Sequence, residues 1–365
     1  MPRPTAFFHD ERTLWHGGGD YVLTVPAGGL VQPGGGLPES PETKRRLVNL
    51  MQVTGLMGAL DCRSAAPASR EELLRVHPAR YLDAFKAASD DKGGNLGLRT
   101  PFLKGGYEIA ALSAGLAVEA LRSTLRGDSG RAYALSRPPG HHCMPDWPNG
   151  FCLLANIAVA IRAAQAESRA ARFAVVDWDV HHGNGTEAIF LDDADVLTVS
   201  IHQEHNYPLD TGSAKVRGAG DSNLNIPLPP GCGHATYVEA MERLVIPALR
   251  RHAPDVIIVA CGYDASAVDP LAQMLLGAES FAAMTRMLGE LADDICGGRL
   301  VLVHEGGYSE LHVPFCGHAA IAALAGSDIA APDPLRDTIR ARQPATRWVN
   351  HVSTWLAELA EDRGL

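Results

Sequence analysis

The feature that most constrains the fold is a series of short apolar runs, several of which end in a cluster of polar residues. The runs are rich in Val, Ile and Ala and lie at 132–135, 173–176, 196–201, 256–260 and 300–303. Apolar residues on both faces of an extended chain are typical of strands in a buried parallel sheet. Helical patterns intervene at 156–166, 235–251 and 279–295. This alternation predicts a doubly wound α/β sandwich.

The two ends of the chain have a different character. Residues 1–40 are rich in Gly and Pro, which predicts an irregular segment that does not build a core. Ser40, Pro41 and Glu42 are typical of a helix start, here of a helix to about Met57, and a second helix is predicted over 106–126. Residues 332–365 are predicted as a peripheral segment ending in an amphipathic helix over 348–359. We expect residues 1–365 to form one domain.

Composition excludes several classes of protein. Hydrophobic residues make up 46% of the 365 and charged residues 20%, which is typical of a globular chain. The net charge of −10, without a Lys/Arg-rich block, argues against nucleic acid as a partner. No apolar stretch reaches membrane-spanning length, and the first ten residues lack the pattern of a signal peptide. We therefore expect a cytoplasmic protein, with its seven cysteines reduced.

Four of the predicted strands lead directly into polar clusters. These clusters occupy 136–142, 177–185, 261–264 and 304–308. In open α/β sheets, ligands bind outside the carboxyl ends of the strands. The clusters are therefore predicted to meet at one site.

The cluster after the second run has the composition of a metal site. Asp177, Asp179 and His181 alternate, so they project from one face of an extended segment. Two carboxylates and an imidazole suit zinc or iron(II), and Asp264 would complete a three-ligand site with Asp179 and His181. Three protein ligands leave positions open, which is typical of a catalytic metal. The alternative is a turn in which backbone hydrogen bonds satisfy the side chains.

Two further groups could act beside such a metal. His141 and His142 follow a Pro-Pro-Gly turn and are candidates for general acid and base. Tyr308 presents a phenol after a Gly-Gly turn.

Taken together, these motifs resemble the histone deacetylase superfamily, and most closely its bacterial class II amidohydrolases. The matching segments are RPPGHH at 137–142, GFC at 150–152 with Asn156, DWDVHHGNGT at 177–186, GYDAS at 262–266, DPL at 269–271 and EGGY at 305–308. They span roughly residues 40–330 in the expected order. The resemblance implies the arginase–deacetylase fold, with a central eight-stranded parallel sheet between helices.

The resemblance also implies roles for individual residues. It makes Asp179, His181 and Asp264 the zinc ligands, pairs His141 with Asp177 and His142 with Asn184, and makes Tyr308 the donor to the developing oxyanion. A structural potassium site is implied at Asp177, Ser200 and Ile201, with a second one near Phe190, Asp193 and Val196. The substrate tunnel is implied to contain Gly150, Phe151, Tyr207 and Leu271, with Trp147 close to it. The implied reaction is hydrolysis of an amide bond by metal-activated water.

Several departures from the family pattern bear on the substrate. Tyr207 stands where Phe is usual, and the segment 203–212 is short. Trp147-Pro148 is a bulky insertion before the tunnel, and Val268 replaces the usual Gly. We expect these features to narrow or shorten the tunnel and to favour small amides over protein tails.

The sequence is compatible with three functions. The first is a zinc amidohydrolase acting on acyl-lysine, an acetylpolyamine or a small amide, since some relatives act on amide pesticides such as dimethoate. The second is a two-manganese ureohydrolase of the arginase type, although its additional Asp-x-Asp ligand set is not found. The third is a non-catalytic module that binds acyl amines. By resemblance, a homodimer or homotetramer is expected.

Overall fold

A computed structural model describes residues 4–32 and 36–365 of the chain. The strands are β1 Ala6–Phe8, β2 Tyr21–Val22, β3 Val25–Pro26, β4 Asp61–Arg63, β5 Gly93–Asn95, β6 Pro101–Leu103, β7 Arg131–Ala134, β8 Phe173–Asp177, β9 Val196–Gln203, β10 Asn223–Leu228, β11 Val256–Cys261 and β12 Leu300–His304. The α-helices are α1 Pro41–Thr54, α2 Arg70–Leu74, α3 Ala79–Asp91, α4 Gly106–Arg126, α5 Asn156–Ala166, α6 Asn184–Phe190, α7 His234–Ala240, α8 Ile246–His252, α9 Ala278–Ile295, α10 Val313–Ala325, α11 Arg336–Ala341 and α12 Thr346–Arg363.

Eight of these strands form one sheet in the order β10-β9-β8-β11-β12-β7-β1-β4, and every neighbouring pair is parallel. Helices cover both faces, as a parallel sheet requires. One face carries a core that includes Leu47, Trp178 and Phe281, and the other a core that includes Phe85 and Ile157. The predicted eight-stranded α/β sandwich is confirmed.

The prediction for the first forty residues was wrong in one respect. Ala6–Phe8 is a strand inside the sheet, between β7 and β4, and Phe7 is fully buried against Tyr133. Three residues are too few to show a periodicity, and the strand exists because neighbouring strands supply its hydrogen bonds. The two edge strands, β4 and β10, were likewise not predicted.

The helix predictions were confirmed over 106–126 and 156–166. The first predicted helix ends earlier, at Thr54, because Gly55 adopts a left-handed conformation with φ of 86° and terminates it. The helix predicted over 235–251 contains a π-helical turn at Met241–Val245 between α7 and α8.

The C-terminal segment is less peripheral than expected. The predicted amphipathic helix is present as α12 and is longer than predicted, and its Val352, Leu356 and Leu359 belong to the main core. Arg363 at its end is buried and donates to the backbone oxygens of Val216 and Asn223. The segment therefore packs tightly against the body of the fold.

In the part of the chain that the structure describes, we find no helix with both the length and the apolar character needed to span a membrane.

Candidate active site

The four polar clusters meet at the carboxyl ends of four adjacent strands. In the sheet these strands lie side by side in the order β8-β11-β12-β7. They carry Asp177 to His181, Asp264, Tyr308 and the His141-His142 pair respectively. The predicted convergence is confirmed, and it follows from parallel strands presenting the same end to the same edge.

Asp179, His181 and Asp264 form a buried cluster whose ligand atoms all lie within 4.8 Å of one another. His181 Nδ1 is 3.1 Å from Asp179 Oδ1 and 3.0 Å from Asp264 Oδ2. Burial and the neighbouring Asp179 raise the pKa of Asp264 to about 6. Two buried carboxylates in contact with one imidazole are a donor set that suits a divalent cation.

Backbone hydrogen bonds hold the two carboxylates in place. The N–H of Gly306 donates to Asp179 Oδ2 at 2.8 Å, and the N–H of Val180 donates to Asp264 Oδ1 at 2.8 Å. The N–H of His181 donates to Asp179 Oδ1 at 3.0 Å. These bonds link the loops that follow β8, β11 and β12, so the ligand geometry is determined by the tertiary fold.

The two histidines of the pair lie side by side, with ring centroids 3.9 Å apart, but have different partners. His141 Nδ1 is 3.0 Å from Asp177 Oδ2, and His142 Nδ1 is 2.9 Å from Asn184 Oδ1. Because an amide oxygen only accepts, His142 donates from Nδ1 and keeps Nε2 as an acceptor. Both partners are those that the sequence resemblance implied.

Their environments move their pKa values in opposite directions. Burial opposes the charged form of His141, but the carboxylates of Asp179 and Asp177 outweigh it and raise the pKa well above 6.5. Burial lowers the pKa of His142 well below 6.5, and repulsion from His141 and His181 adds to the effect. Such a divergence separates a charged from a neutral histidine, which is how a site assigns acid and base roles.

Tyr308 lies across the cluster from the histidine pair. Its ring contacts those of His181 and Phe151, at centroid distances of 6.2 Å and 5.7 Å. Burial raises the pKa of its phenol well above 10, and Asp264 and Asp179 add to the rise, so the hydroxyl keeps its proton. Its backbone N–H donates to Asp269 Oδ2 at 2.8 Å, which anchors the loop.

A cavity of about 100 Å³ opens onto these groups. It is lined by Thr24, Arg99, His142, Gly150, Phe151, His181, Asn206, Tyr207, Leu271 and Tyr308. The four residues predicted for the tunnel, at 150, 151, 207 and 271, are thus brought together. A side chain at Gly150 would meet His142 and Tyr207, with Tyr207 Cε1 at 2.8 Å, so only Gly permits their approach.

Trp147 is not among the residues that line this cavity. Its side chain is 39% exposed, and its carbonyl accepts the N–H of Met144 at 3.1 Å in a tight turn. The indole therefore lies on the surface beside the site.

The residues predicted to hold potassium lie on adjacent strands. Asp177 of β8 is in register with Ser200 of β9, and Ile201 follows. At the other predicted potassium site, the carbonyl oxygens of Phe190 and Asp193 accept backbone N–H groups, and Arg162 contacts the Asp193 carboxylate at 2.5 Å. Binding of potassium at either place stays a prediction.

The histone deacetylase domain model matches residues 37–324 of the chain. The chain belongs to the histone deacetylase family. It is accordingly a hydrolase that acts on amide bonds.

Individual relatives agree with this assignment. The chain is 55% identical to a histone deacetylase-like amidohydrolase of Pseudomonas aeruginosa, over 100% of this chain and 97% of the relative. It is 34% identical to histone deacetylase 8 of Arabidopsis thaliana, over 79% of this chain and 78% of the relative. The solved structure of the HDA15 HD domain superposes with a TM-score of 0.83 at 30% identity, covering 98% of this chain and 96% of that one.

The sequence did not predict a role for two residues of this site, Glu305 and Arg99. Glu305 is fully buried and accepts the backbone N–H groups of Gly140 and His141, at 2.6 Å and 3.1 Å, which positions the histidine pair. Its place directly before the Gly-Gly-Tyr turn could have drawn attention to it. Arg99 lines the cavity from a loop far away in sequence, where no motif marks it.

Proposed function

We propose that the chain is a zinc-dependent deacetylase-type amidohydrolase that releases a carboxylic acid and an amine from an acylated amine. The observation that supports it best is the buried Asp179–His181–Asp264 cluster beside a neutral histidine, a charged histidine and a protonated tyrosine. These three residues would hold the metal. A bound zinc ion polarises the amide carbonyl and lowers the pKa of water toward ~7.

The residues of the chain divide the remaining chemistry. His142, which lines the cavity and has its Nδ1 bonded to Asn184, is neutral; its Nε2 accepts the proton of the attacking water and returns it to the leaving amine. His141 stays charged against Asp177 and stabilises negative charge that develops at the carbonyl. The Tyr308 hydroxyl donates to that oxyanion, a contribution of about 3 to 4 kcal/mol for comparable donors.

The size of the cavity favours a small acyl group. A volume of about 100 Å³ is well below the ~300–1,000 Å³ of sites for drug-sized ligands. Tyr207 narrows it further, since its hydroxyl is tied to Asn149 Oδ1 and its ring cannot swing away without breaking that bond. Acetyl and similarly short acyl groups on a small amine are the substrates we propose.

Two alternative functions have less support. A ureohydrolase of the arginase type needs a second metal, and among the residues described the other candidate group is His141, Cys152 and Glu305. In that group, Oε2 of Glu305 already accepts two backbone N–H groups, and Nδ1 of His141 already contacts Asp177. A non-catalytic binding module would have no need of histidines with opposite pKa shifts.

The remaining proposals rest on the sequence resemblance and on the composition of the chain. We propose a small amide or an acyl-lysine as substrate, structural potassium beside the zinc, a cytoplasmic location, and a homodimer or homotetramer without nucleic acid. The net charge of −10 is unfavourable for binding nucleic acid.

The test is a panel of substrates on protein stripped of metal and reloaded with zinc or iron(II). An acetyl-lysine peptide, acetylputrescine and a small N-methyl amide are compared by initial rate. We expect hydrolysis only with metal, and Tyr308→Phe should lower kcat by about 10² to 10³ with little change in KM. Metal-independent turnover, or a Tyr308→Phe variant as fast as the natural enzyme, would contradict the proposal.

A further inference from the structure

The positively charged side chain of Arg99 lies in the wall of the cavity and has no role in the proposed mechanism. Arg99 lines the cavity together with His142 and Tyr308. Its guanidinium carbon lies 5.1 Å from the centroid of the Tyr207 ring, which is the range of a cation–π contact. Within residues 4–32 and 36–365, no carboxylate oxygen lies within 4.0 Å of this guanidinium.

The backbone holds Arg99 in place firmly. Its carbonyl oxygen accepts the N–H of Phe151 at 3.1 Å, and the carbonyl of Leu98 accepts the N–H of Gly150 at 2.9 Å. Its φ of 59° lies in the left-handed region that residues other than Gly rarely adopt. A non-glycine residue that is held in a strained backbone conformation, and whose backbone is hydrogen-bonded to residues lining the cavity, is a candidate for a functional role.

The surroundings leave the charge of Arg99 unneutralised. None of the other described residues that line the cavity carries a carboxylate. An adjoining cavity that Arg99 also lines contains one carboxylate, Glu39, but Lys44 and Arg137 pair with it at 2.9 Å and 3.1 Å. The guanidinium charge is therefore available to pair with an anionic group of a ligand in the cavity.

The distance from Arg99 to the proposed base places an upper limit on the length of the ligand. The Tyr207 ring lies 5.1 Å from the guanidinium carbon and 5.1 Å from the His142 ring. The guanidinium is therefore within about 10 Å of the proposed base, roughly three residues of extended chain.

We infer that Arg99 binds a carboxylate on the amine portion of the substrate, so that the enzyme acts on acylated amines whose far end is an anion. This inference rests on the proposed function. A guanidinium can donate two parallel hydrogen bonds to a carboxylate, which combines affinity with orientation. The same charge repels the ammonium group of an acylpolyamine, so such amines are poor substrates.

The test uses three acetamides of one chain length that differ only in the far end: 6-acetamidohexanoate, its carboxamide, and the N-acetyl derivative of 1,5-diaminopentane. In each, water cleaves the amide bond to give acetate and the free amine, and acetate release is measured. We expect kcat/KM for the carboxylate to exceed that for the carboxamide by at least about tenfold, as for one charged hydrogen bond, with the ammonium compound slowest.

Variants of Arg99 then identify the source of that preference. Arg99→Gln should bring the carboxylate-to-carboxamide ratio close to one, Arg99→Lys should retain part of it, and Arg99→Glu should favour the ammonium compound. Arg347→Gln, which removes an exposed arginine on α12, is the matched control and should keep the ratio of the natural enzyme.

Two results would overturn the inference. One is a natural enzyme that does not distinguish the carboxylate from the carboxamide. The other is an Arg99→Gln variant that loses the same factor on all three compounds, which would mean that Arg99 only positions Tyr207.

A binding measurement separates failure of the inference from failure of the proposed function. Two hydroxamates with the same carboxylate and carboxamide ends are titrated calorimetrically into metal-loaded protein. A carboxylate preference that Arg99→Gln abolishes would support the anion site even if no amide were hydrolysed. Equal affinities would overturn it whatever the activity.

Discussion

Replacing Gly306 with alanine should weaken metal binding at the proposed site, because the added methyl group would occupy space taken by the proposed metal ligands Asp179 and Asp264. A Cβ at this position would lie 2.6 Å from Asp179 Oδ2 and 2.9 Å from the Tyr308 hydroxyl oxygen, and would also overlap the Asp264 carboxylate. Real Cβ atoms essentially never approach other atoms below 3.0 Å. The backbone conformation of Gly306 is not left-handed, so the effect is one of space alone.

The size of the effect follows from the rigidity of the neighbours. Both carboxylates are fully buried, and the Gly306 N–H that the substitution displaces donates to Asp179 at 2.8 Å. Metal–ligand distances tolerate changes of about 0.2 Å, whereas the carboxylates would have to move further than this to make room for the added methyl group. We expect an affinity for zinc lower by about 10- to 100-fold, the loss seen when the support of a ligand is disturbed, which corresponds to about 1.4 to 2.7 kcal/mol.

The measurement is a calorimetric titration of zinc into metal-free protein. Gly58→Ala is the matched control, because a Cβ there meets nothing within 4 Å and its φ is not positive. Circular dichroism should show the same fold for both variants. A Gly306→Ala variant that binds zinc as tightly as the Gly58→Ala variant would refute the reasoning that these residues form the metal site.

Two further predictions concern pH. Burial lowers the pKa of His77 to about 4, and its ring donates to the carbonyl oxygen of Pro145 and accepts the N–H of Ala155. Between pH 6.5 and 4 the unfolded chain therefore binds more protons at this residue than the folded chain does. The free energy of unfolding should fall by up to about 3 kcal/mol as the pH is lowered through this window. His77→Gln, which keeps a donor and an acceptor, should make the free energy of unfolding, measured with urea, depend less on pH in this window. An unchanged pH dependence would contradict this prediction. Asn184→Asp places a charge beside His142 and should move the acidic limb of kcat/KM to higher pH by about one unit or more; an unmoved limb would argue against His142 as the base.

The sequence alone predicted the architecture and the polar residues that lie at the strand ends. The runs at 173–176, 256–260 and 300–303 are strands as predicted, because short apolar runs that contain several β-branched residues favour strands buried on both faces of a parallel sheet. The sequence also predicted that Asp179, His181, Asp264 and Tyr308 lie close to the ends of these strands, since each stands in a specific motif that follows one.

Only the tertiary structure decided which distant segments complete the site. The strand Ala6–Phe8 is too short to have a pattern of its own, and it forms because β7 and β4 pair with it on either side. Arg99 faces the cavity because the N–H groups of Gly150 and Phe151 bond to its loop, across about fifty residues of chain. Periodicity and motifs report interactions between near neighbours along the chain, whereas burial, pKa shifts and unpaired charges depend on contacts that exist only after the chain has folded.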